Sequence, residues 1–337
     1  MRKKVILPFD DKPYSLMYHG SAFPLGIIQG NTTEDLTPWL SSKYINCWFA
    51  PTWENKFAYY VTDQWATGDK ILLQQRIDLF PKQYDLIFQK DVLFLFRKML
   101  DGGYYPHGSY NEEYIVGKKW FGKEYHLHDF ILIGYDDIRR CFISDGYLQD
   151  KQFQRYVIPY DNMKMAIQSC RTAKVSFNFW KYNDKAQYEF SPHRLIMELS
   201  DYLQSNTSMK IFTHNRIWGM DAVNELGEHI LSTCEIHNRI DNRYTRGIME
   251  HKFFMRMRIE FLLKHNYISD KEYQRYANNI FDLCERAHLL GIKYRLNRNK
   301  DIPLHIYHII QETVLLEKEY LPSVLSDLKN NIEEDIK

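Results

Sequence analysis

The stretch EYHLHDFILIGYDDIRRCFISDGY, residues 124–147, sets an imidazole and a carboxylate at the two ends of one hairpin pattern. His128 opens a strongly apolar run that ends at Gly134. Asp136 and Asp137 supply a turn, and a second run returns to Asp145. In a hairpin, residues so related can come side by side on neighbouring strands. An imidazole beside a carboxylate is what a general base and its orienting group need: the carboxylate fixes the tautomer and stabilises the imidazolium. The plain alternative is a hairpin whose His and Asp are both solvated. A second stretch, YHGSAFPLGII (18–28), runs a small Gly-Ser turn into a short apolar helix near the N-terminus, with His19 just ahead of it. A thiol at such a turn would be a nucleophile, but the turn offers Ser21 and Ala22 and no cysteine.

Secondary structure must bring these groups together. Before residue 190, apolar residues alternate or cluster in short runs broken by Gly, Pro and Asp. KYINCWFAP (43–51), NKFAYYVT (55–62), EEYIVG (112–117), DFILIGY (129–135) and RCFISDGY (140–147) read as strands. KDVLFLFRKMLDGG (90–103) reads as a helix ended by Gly102 and Gly103. After 190 the period becomes helical. Ser191-Pro192 is a cap followed by Pro at the first helical position. TRGIMEHKFFMRMRIEFLLKHN (245–266) carries apolar residues at three- and four-residue spacing. Ser269 and Glu272 form a capping-box pattern ahead of the next helix, and PLHIYHIIQETVLLEKEYL (303–321) follows a similar scheme. The expected fold class is α+β, with an α+β domain over residues 1–189 and an all-helical domain over 190–337. Glu250, Arg256, Arg258 and Glu260 read as a solvated or domain-facing stripe. The aromatic-rich stretch 104–125 reads as a packed surface or the wall of a substrate channel.

Composition narrows the partners. With 45% apolar residues, 25 Tyr and 20 Phe in 337 residues, the chain can build a sizeable core. A net charge of +1 gives no basis for a nucleic-acid or anionic-membrane partner. The apolar part of MRKKVILPFDD is too short for a signal peptide, and no run approaches the roughly 18 residues of a membrane span. Five scattered cysteines with no CxxC pair read as buried free thiols of a cytoplasmic protein.

The pattern of histidine, an apolar run, GYDD, a short strand and Asp resembles the second half of papain-like folds. More closely it resembles the cysteine peptidase C39-like and butirosin biosynthesis protein H N-terminal-like group. LFRKMLDGGYYPHGSYNEEYIVG before the histidine is similar to that group's helix and strand. MEHKFFMRMRIEFL and LLGIKYRL are similar to its helical C-terminal half. The resemblance implies a papain-like acyltransferase or amide synthetase of thiotemplated antibiotic biosynthesis. Such an enzyme takes an acyl group from an acyl or peptidyl carrier-protein thioester, through an acyl-enzyme, and gives it to a small-molecule amine. No protein-held cofactor is implied; phosphopantetheine arrives on the carrier. The implied order is Cys, His, Asp. His128 and Asp145 match the last two. Pro24, suited to a helix's first turn, puts the helix start near Ser21 to Phe23, where partial positive charge stabilises thiolate. That assigns Ala22 to the nucleophile's place.

Three explanations of Ala22 stand open. The natural residue is a cysteine and this chain an alanine variant; the nucleophile is lost and the fold serves binding or scaffolding; or the nucleophile is elsewhere, at Ser21 or Cys47. Cys47 is the only cysteine before His128, but it lies in a strand pattern with no helix start behind it. His19 and Ser21 are candidates to line the acyl or oxyanion region. A plain cysteine peptidase shares the acyl-enzyme and is a further alternative. His126 and His128 fall on one side of a strand and could hold a metal with Asp129 or His107, a weak signal with no third ligand at diagnostic spacing; the expectation is no metal.

Overall fold

The computed structural model describes residues 2–52, 57–58, 70–79, 92–149, 152–170, 175–208 and 215–335. In chain order the elements are β1 (Lys4–Ile6), α1 (His19–Asn31), α2 (Thr37–Leu40), β2 (Trp48–Phe49), β3 (Phe57–Ala58), β4 (Leu72–Leu79), α3 (Val92–Asp101), β5 (Tyr105–Asn111), β6 (Leu127–Asp136), β7 (Cys141–Tyr147), β8 (Phe153–Pro159), α4 (Tyr160–Gln168) and β9 (Val175–Tyr182). They are followed by α5 (Pro192–Leu203), β10 (Ile217–Trp218), α6 (Gly219–His237), α7 (Asn242–Lys264), α8 (Glu272–Asn297) and α9 (Ile302–Asp335). The fold is α+β and divides into two compact units, one of residues 1–33 and 65–187, the other of residues 34–64 and 188–337.

An antiparallel sheet in the order β4-β9-β5-β6-β7-β8 carries the first unit, with β1 also against β6. The long strand β6 serves three neighbours. Leu127 to Ile131 pair with β5, Leu132 to Asp136 with β7, and Gly134 to Asp136 also with β1. Gly134 is where β1 comes closest: a Cβ there would stand 2.3 Å from the Val5 carbonyl oxygen, which only glycine avoids. The core joins Tyr110, Phe130, Leu132, Phe142 and Phe177 of the sheet to Val92, Phe96 and Leu100 of α3 and Met163 and Ile167 of α4. Phe96, fully buried, presents ring edges to Phe130, Phe142 and Phe177 at centroid distances of 5.8, 6.1 and 5.2 Å.

Several local expectations need correction. EEYIVG is not a strand: Glu112–Tyr114 form a 3₁₀ turn, started by the Asn111 side chain accepting from the Glu113 N–H at 3.2 Å. Asn at the end of β5 offers the backbone this alternative to the ladder. KYINCWFAP is strand only at Trp48–Phe49. In NKFAYYVT only Phe57–Ala58 fall among the described residues, and they are strand. The Ser269–Glu272 capping box is not formed; Asp270 Oδ1 accepts from the Glu272 N–H at 2.9 Å instead. Ser191 does precede Pro192 at the start of α5, but its side chain makes no cap hydrogen bond.

The second unit gathers α5 to α9 with the segment 34–64, which a cut at residue 189 leaves in the other domain. Groups far along the chain hold that segment by its backbone. Arg258 donates to the carbonyls of Ser41 (2.7 Å) and Lys43 (2.5 Å), His251 Nε2 donates to Ile45 O (2.8 Å), and Gly219 N–H donates to Cys47 O (2.9 Å). The α7 charges are therefore not a solvated stripe. Arg258 is fully buried, Glu250 is buried beside Arg246, and the Arg256 guanidinium lies 3.8 Å over the Phe281 ring. Of the four, Glu260 alone is exposed.

Phe96→Ala is expected to cost about 3–5 kcal/mol of stability, as emptied aromatic core positions do. Gly134→Ala, forced against a backbone oxygen, should cost about 3 kcal/mol or more. Chemical denaturation of both variants checks this. A Gly134→Ala midpoint equal to that of the parent would contradict the β1–β6 approach.

Candidate active site

The start of α1 sets the first wall of the site. Tyr18 is extended and caps the helix, which begins at His19, earlier than Pro24 implies; Pro24 lies inside the helix. The Ser21 hydroxyl donates to Tyr18 O at 3.0 Å and shares a hydrogen bond with Ser15 Oγ at 2.9 Å. Ser21 thus closes the first turn and is buried there, an arrangement that leaves little of it for chemistry. Ala22, fully buried, belongs to the same turn. His19 stacks on Phe23 one turn further on (centroids 4.4 Å) and on Tyr147 (5.8 Å). Its ring stands edge-on to His128, centroids 4.9 Å apart.

Asp145 does not take the place beside His128. Its carboxylate, fully buried, accepts from Arg155 Nε (3.2 Å) and Nη2 (3.0 Å), opposite which it sits in the β7–β8 ladder. Burial pushes its pKa up, and Arg155 opposes the shift. The reason is register. The turn after Asp136 puts Leu132 opposite Ser144, with an irregularity between Leu132 and Gly134, while His128 pairs with Tyr110 on β5. Asp145 is the next residue after Ser144, so it comes level with β6 about three residues short of His128, on the order of 10 Å at strand rise.

The carboxylate that faces His128 is Glu112. Its N–H donates to His126 O (2.8 Å), which extends the β5–β6 pairing past the end of β5. Glu112 Oε1 lies 3.4 Å from His128 Nδ1, and Asp129 O lies 3.3 Å from the same nitrogen. With acceptors on the Nδ1 side, the neutral ring keeps its proton at Nδ1 and presents a bare Nε2. Lys118 completes the group. Its ammonium donates to Tyr147 O at 2.6 Å and stands 3.9 Å from Glu112 Oε1. Glu112 and Lys118 are both buried and offset each other's charge.

Desolvation by burial lowers the pKa of His128, against the opposing pull of Glu112. His19 is lowered well below the ordinary histidine value, first by burial and then by its neighbours, the His128 ring and the Lys118 ammonium, which disfavour a second positive charge there. Both rings are therefore neutral near pH 7. His19 Nε2 is buried with no hydrogen-bond partner among the described residues. His126 stands against Trp120 (centroids 5.2 Å), and His107 stacks on Trp180 (4.4 Å). Among the described residues no group of three or more His, Cys, Asp or Glu could hold a metal ion. Cys47 belongs to the other unit, where its Sγ donates to Gly219 O at 3.3 Å and burial pushes the thiol up to about 12, the reverse of an activated thiolate. The described cysteines are all free.

Against known proteins, the chain matches no family model and no curated sequence. Of the residues singled out in the sequence, the structure brings His19 and His128 together; Glu112 and Lys118, which it sets beside them, were not among the candidates. The one available signal was an adjacent acidic pair, Glu112-Glu113, directly after a strand whose partner strand begins with the histidines.

The lowered pKa of His19 makes folding pH-dependent. Above about pH 6.5 both folded and unfolded forms carry a neutral ring. As pH falls through that value the unfolded chain takes a proton that the folded site refuses, so stability is lost toward acid. His19→Gln should flatten this dependence between pH 7.5 and 5.5, measured by chemical denaturation; an unchanged slope would count against the buried neutral ring.

Proposed function

We propose that the first unit is an acyltransferase site that passes an acyl group from a carrier-protein thioester to an amine, forming an amide. The observation that carries this reading is the base-and-orienter pair: His128, neutral, with Nδ1 turned to Glu112 and Nε2 bare. In the group that residues 128–145 resemble, a cysteine thiol forms an acyl-enzyme. Ala22 offers no such atom, so in this chain the amine attacks the thioester carbonyl directly. The amine nitrogen forms the new C–N bond and its proton passes to His128 Nε2. The C–S bond breaks, and the imidazolium returns the proton to the departing pantetheine thiolate. Glu112 stabilises the imidazolium in between. Phosphopantetheine on the carrier delivers the acyl group, and the protein needs no cofactor of its own for these steps. A second reading, a binding or scaffold protein on the same fold, draws on the alanine at position 22.

The test mixes the chain with acetyl-, hexanoyl- and benzoyl-pantetheine and hydroxylamine, and follows hydroxamate formation. The parent chain should form hydroxamate above the uncatalysed rate. His128→Ala should lose roughly 10²–10⁴-fold, the usual contribution of a general base. The rate should fall toward acid as His128 takes up a proton below pH 6.5. Ala22→Cys, read by protein mass, separates the routes: an added acyl group places the thioester against the first turn of α1. No hydroxamate from the folded parent or from Ala22→Cys would overturn the acyl-transfer reading in favour of the binding protein.

A further inference from the structure

Helix α8 carries an uncovered face in the second unit. Leu289, Ile292 and Leu296 are 58, 40 and 84% exposed. Their i, i+3, i+7 spacing sets them in one ridge along the helix. At 3.6 residues per turn, Lys271, Arg275, Asp282, Glu285, Arg286 and Lys293 fall with them inside one sector of about 120°. The first turns of the same face border a cavity of about 920 Å³, whose other wall is the end of α7 and the loop after it. Leu263 and the buried Ile268 line it with apolar surface, and Lys264, Lys271 and Arg275 stand around it as cations.

The charge of this face is one-sided. Arg275 is paired with Glu272 at 2.5 Å, but Lys271, Arg286 and Lys293 are in no ion pair among the described residues. From Arg286 to Lys300 the chain has cations at Arg286, Lys293, Arg295, Arg298 and Lys300 and no carboxylate. The helix dipole accounts for Arg295 in the last turn. It does not account for Arg286 or Lys293, nor for large apolar side chains held in water between them. We propose that this face of α8 docks an acidic amphipathic helix of a partner protein. The partner's apolar side packs on Leu289, Ile292 and Leu296, its carboxylates stand beside Arg286 and Lys293, and an apolar side chain at its far end enters the cavity. From Lys271 to Leu296 the face is about 38 Å long, the length of a helix of about 25 residues. A second copy of this chain would bring the same positive excess against itself. An anionic lipid surface suits the ridge but leaves the cavity beside Lys271 unused, whereas a helix lying along α8 spans both. The inference stands whether or not the first unit transfers acyl groups.

The probe is a fluorescent amphipathic peptide of roughly 25 residues with Leu at heptad spacing and Glu on both flanks, read by anisotropy against the full chain. A second peptide carries Lys in place of every Glu. The parent should bind the acidic peptide at least about tenfold more tightly than the basic one, and the affinity should fall as salt rises. Leu289→Glu with Leu296→Glu, and separately Arg286→Glu with Lys293→Glu, should each weaken binding about tenfold or more. All four positions are on the surface of the helix, so the melting curves should match the parent's. Leu315→Glu on α9, 66% exposed but on another helix, should bind like the parent. Equal binding of both peptides, or acidic-peptide binding that survives both double variants, would overturn the docking face. Two further outcomes overturn it in favour of another occupant when the acidic peptide fails to bind. Dimerisation in sedimentation runs, lost in Leu289→Glu with Leu296→Glu, assigns the ridge to a second copy. Binding to phosphatidylglycerol vesicles, lost in the same variant, assigns it to a lipid surface.

Discussion

The register of β6 is the constraint on which the site depends. This strand pairs with β5 over its first half, with β7 over its second, and with β1 at its end. A slip of one residue would turn Phe130 and Leu132 out of the core and His128 to the opposite face. It would also bring a side chain where only Gly134 clears the Val5 carbonyl. Three ladders and one close approach therefore fix a single alignment. That alignment sets His128 opposite Tyr110, within reach of Glu112 just past the end of β5, and leaves Asp145 to Arg155.

Buried charge is handled in the same way in both units: each charged group faces a partner or a backbone carbonyl. In the first unit Glu112 stands between His128 and Lys118. In the second, Lys252 donates to both oxygens of Glu317 (2.7 and 2.8 Å) and to the Tyr202 hydroxyl (2.8 Å), all fully buried. Arg258 meets backbone carbonyls instead. Such groups add little net stability over apolar packing, but removing one partner strands the other, so they tie the chain to one arrangement. Segment 34–64 is held to the helical unit by this means. Its partners lie about 200 residues away along the chain, and helical periodicity does not reveal them.

That distinction explains what the sequence made legible. Alternation and turn residues gave β6, β7 and α3 because their determinants are local: Gly102 and Gly103 end α3, and the Asp136 carboxylate accepts from the N–H groups of Ile138 and Arg139 at the hairpin turn. The α+β class and the helical C-terminal region followed from the change of period near residue 190. The hairpin forms, but Asp145 meets Arg155 and not His128. A hairpin pattern shows that strand ends can come together, whereas the tight turn fixes which residues meet, and it matches Asp145 to a level short of His128. Glu112 escaped notice because EEYIVG reads as a strand, and Asn111 breaks it into a 3₁₀ turn through a side-chain hydrogen bond that strand propensity ignores. Helix α6 is a further element without a local signal at its start, which is set by the Gly219 N–H donating to Cys47 O, far away along the chain.

The pattern of satisfied and unsatisfied groups argues for a ligand at the imidazole pair. His128 Nδ1, Glu112, Lys118, Ser21 and Asp145 each have a partner within the unit. His19 Nε2 has none among the described residues, and a buried ring nitrogen left so is destabilising by about 1–3 kcal/mol. His107 Nδ1 is likewise buried without a hydrogen-bond partner among the described residues, but its ring stacks on Trp180. His19 differs in its place: the nitrogen without a hydrogen-bond partner belongs to the ring that stands edge-on to His128, so the deficit falls at the imidazole pair itself and not in the apolar core.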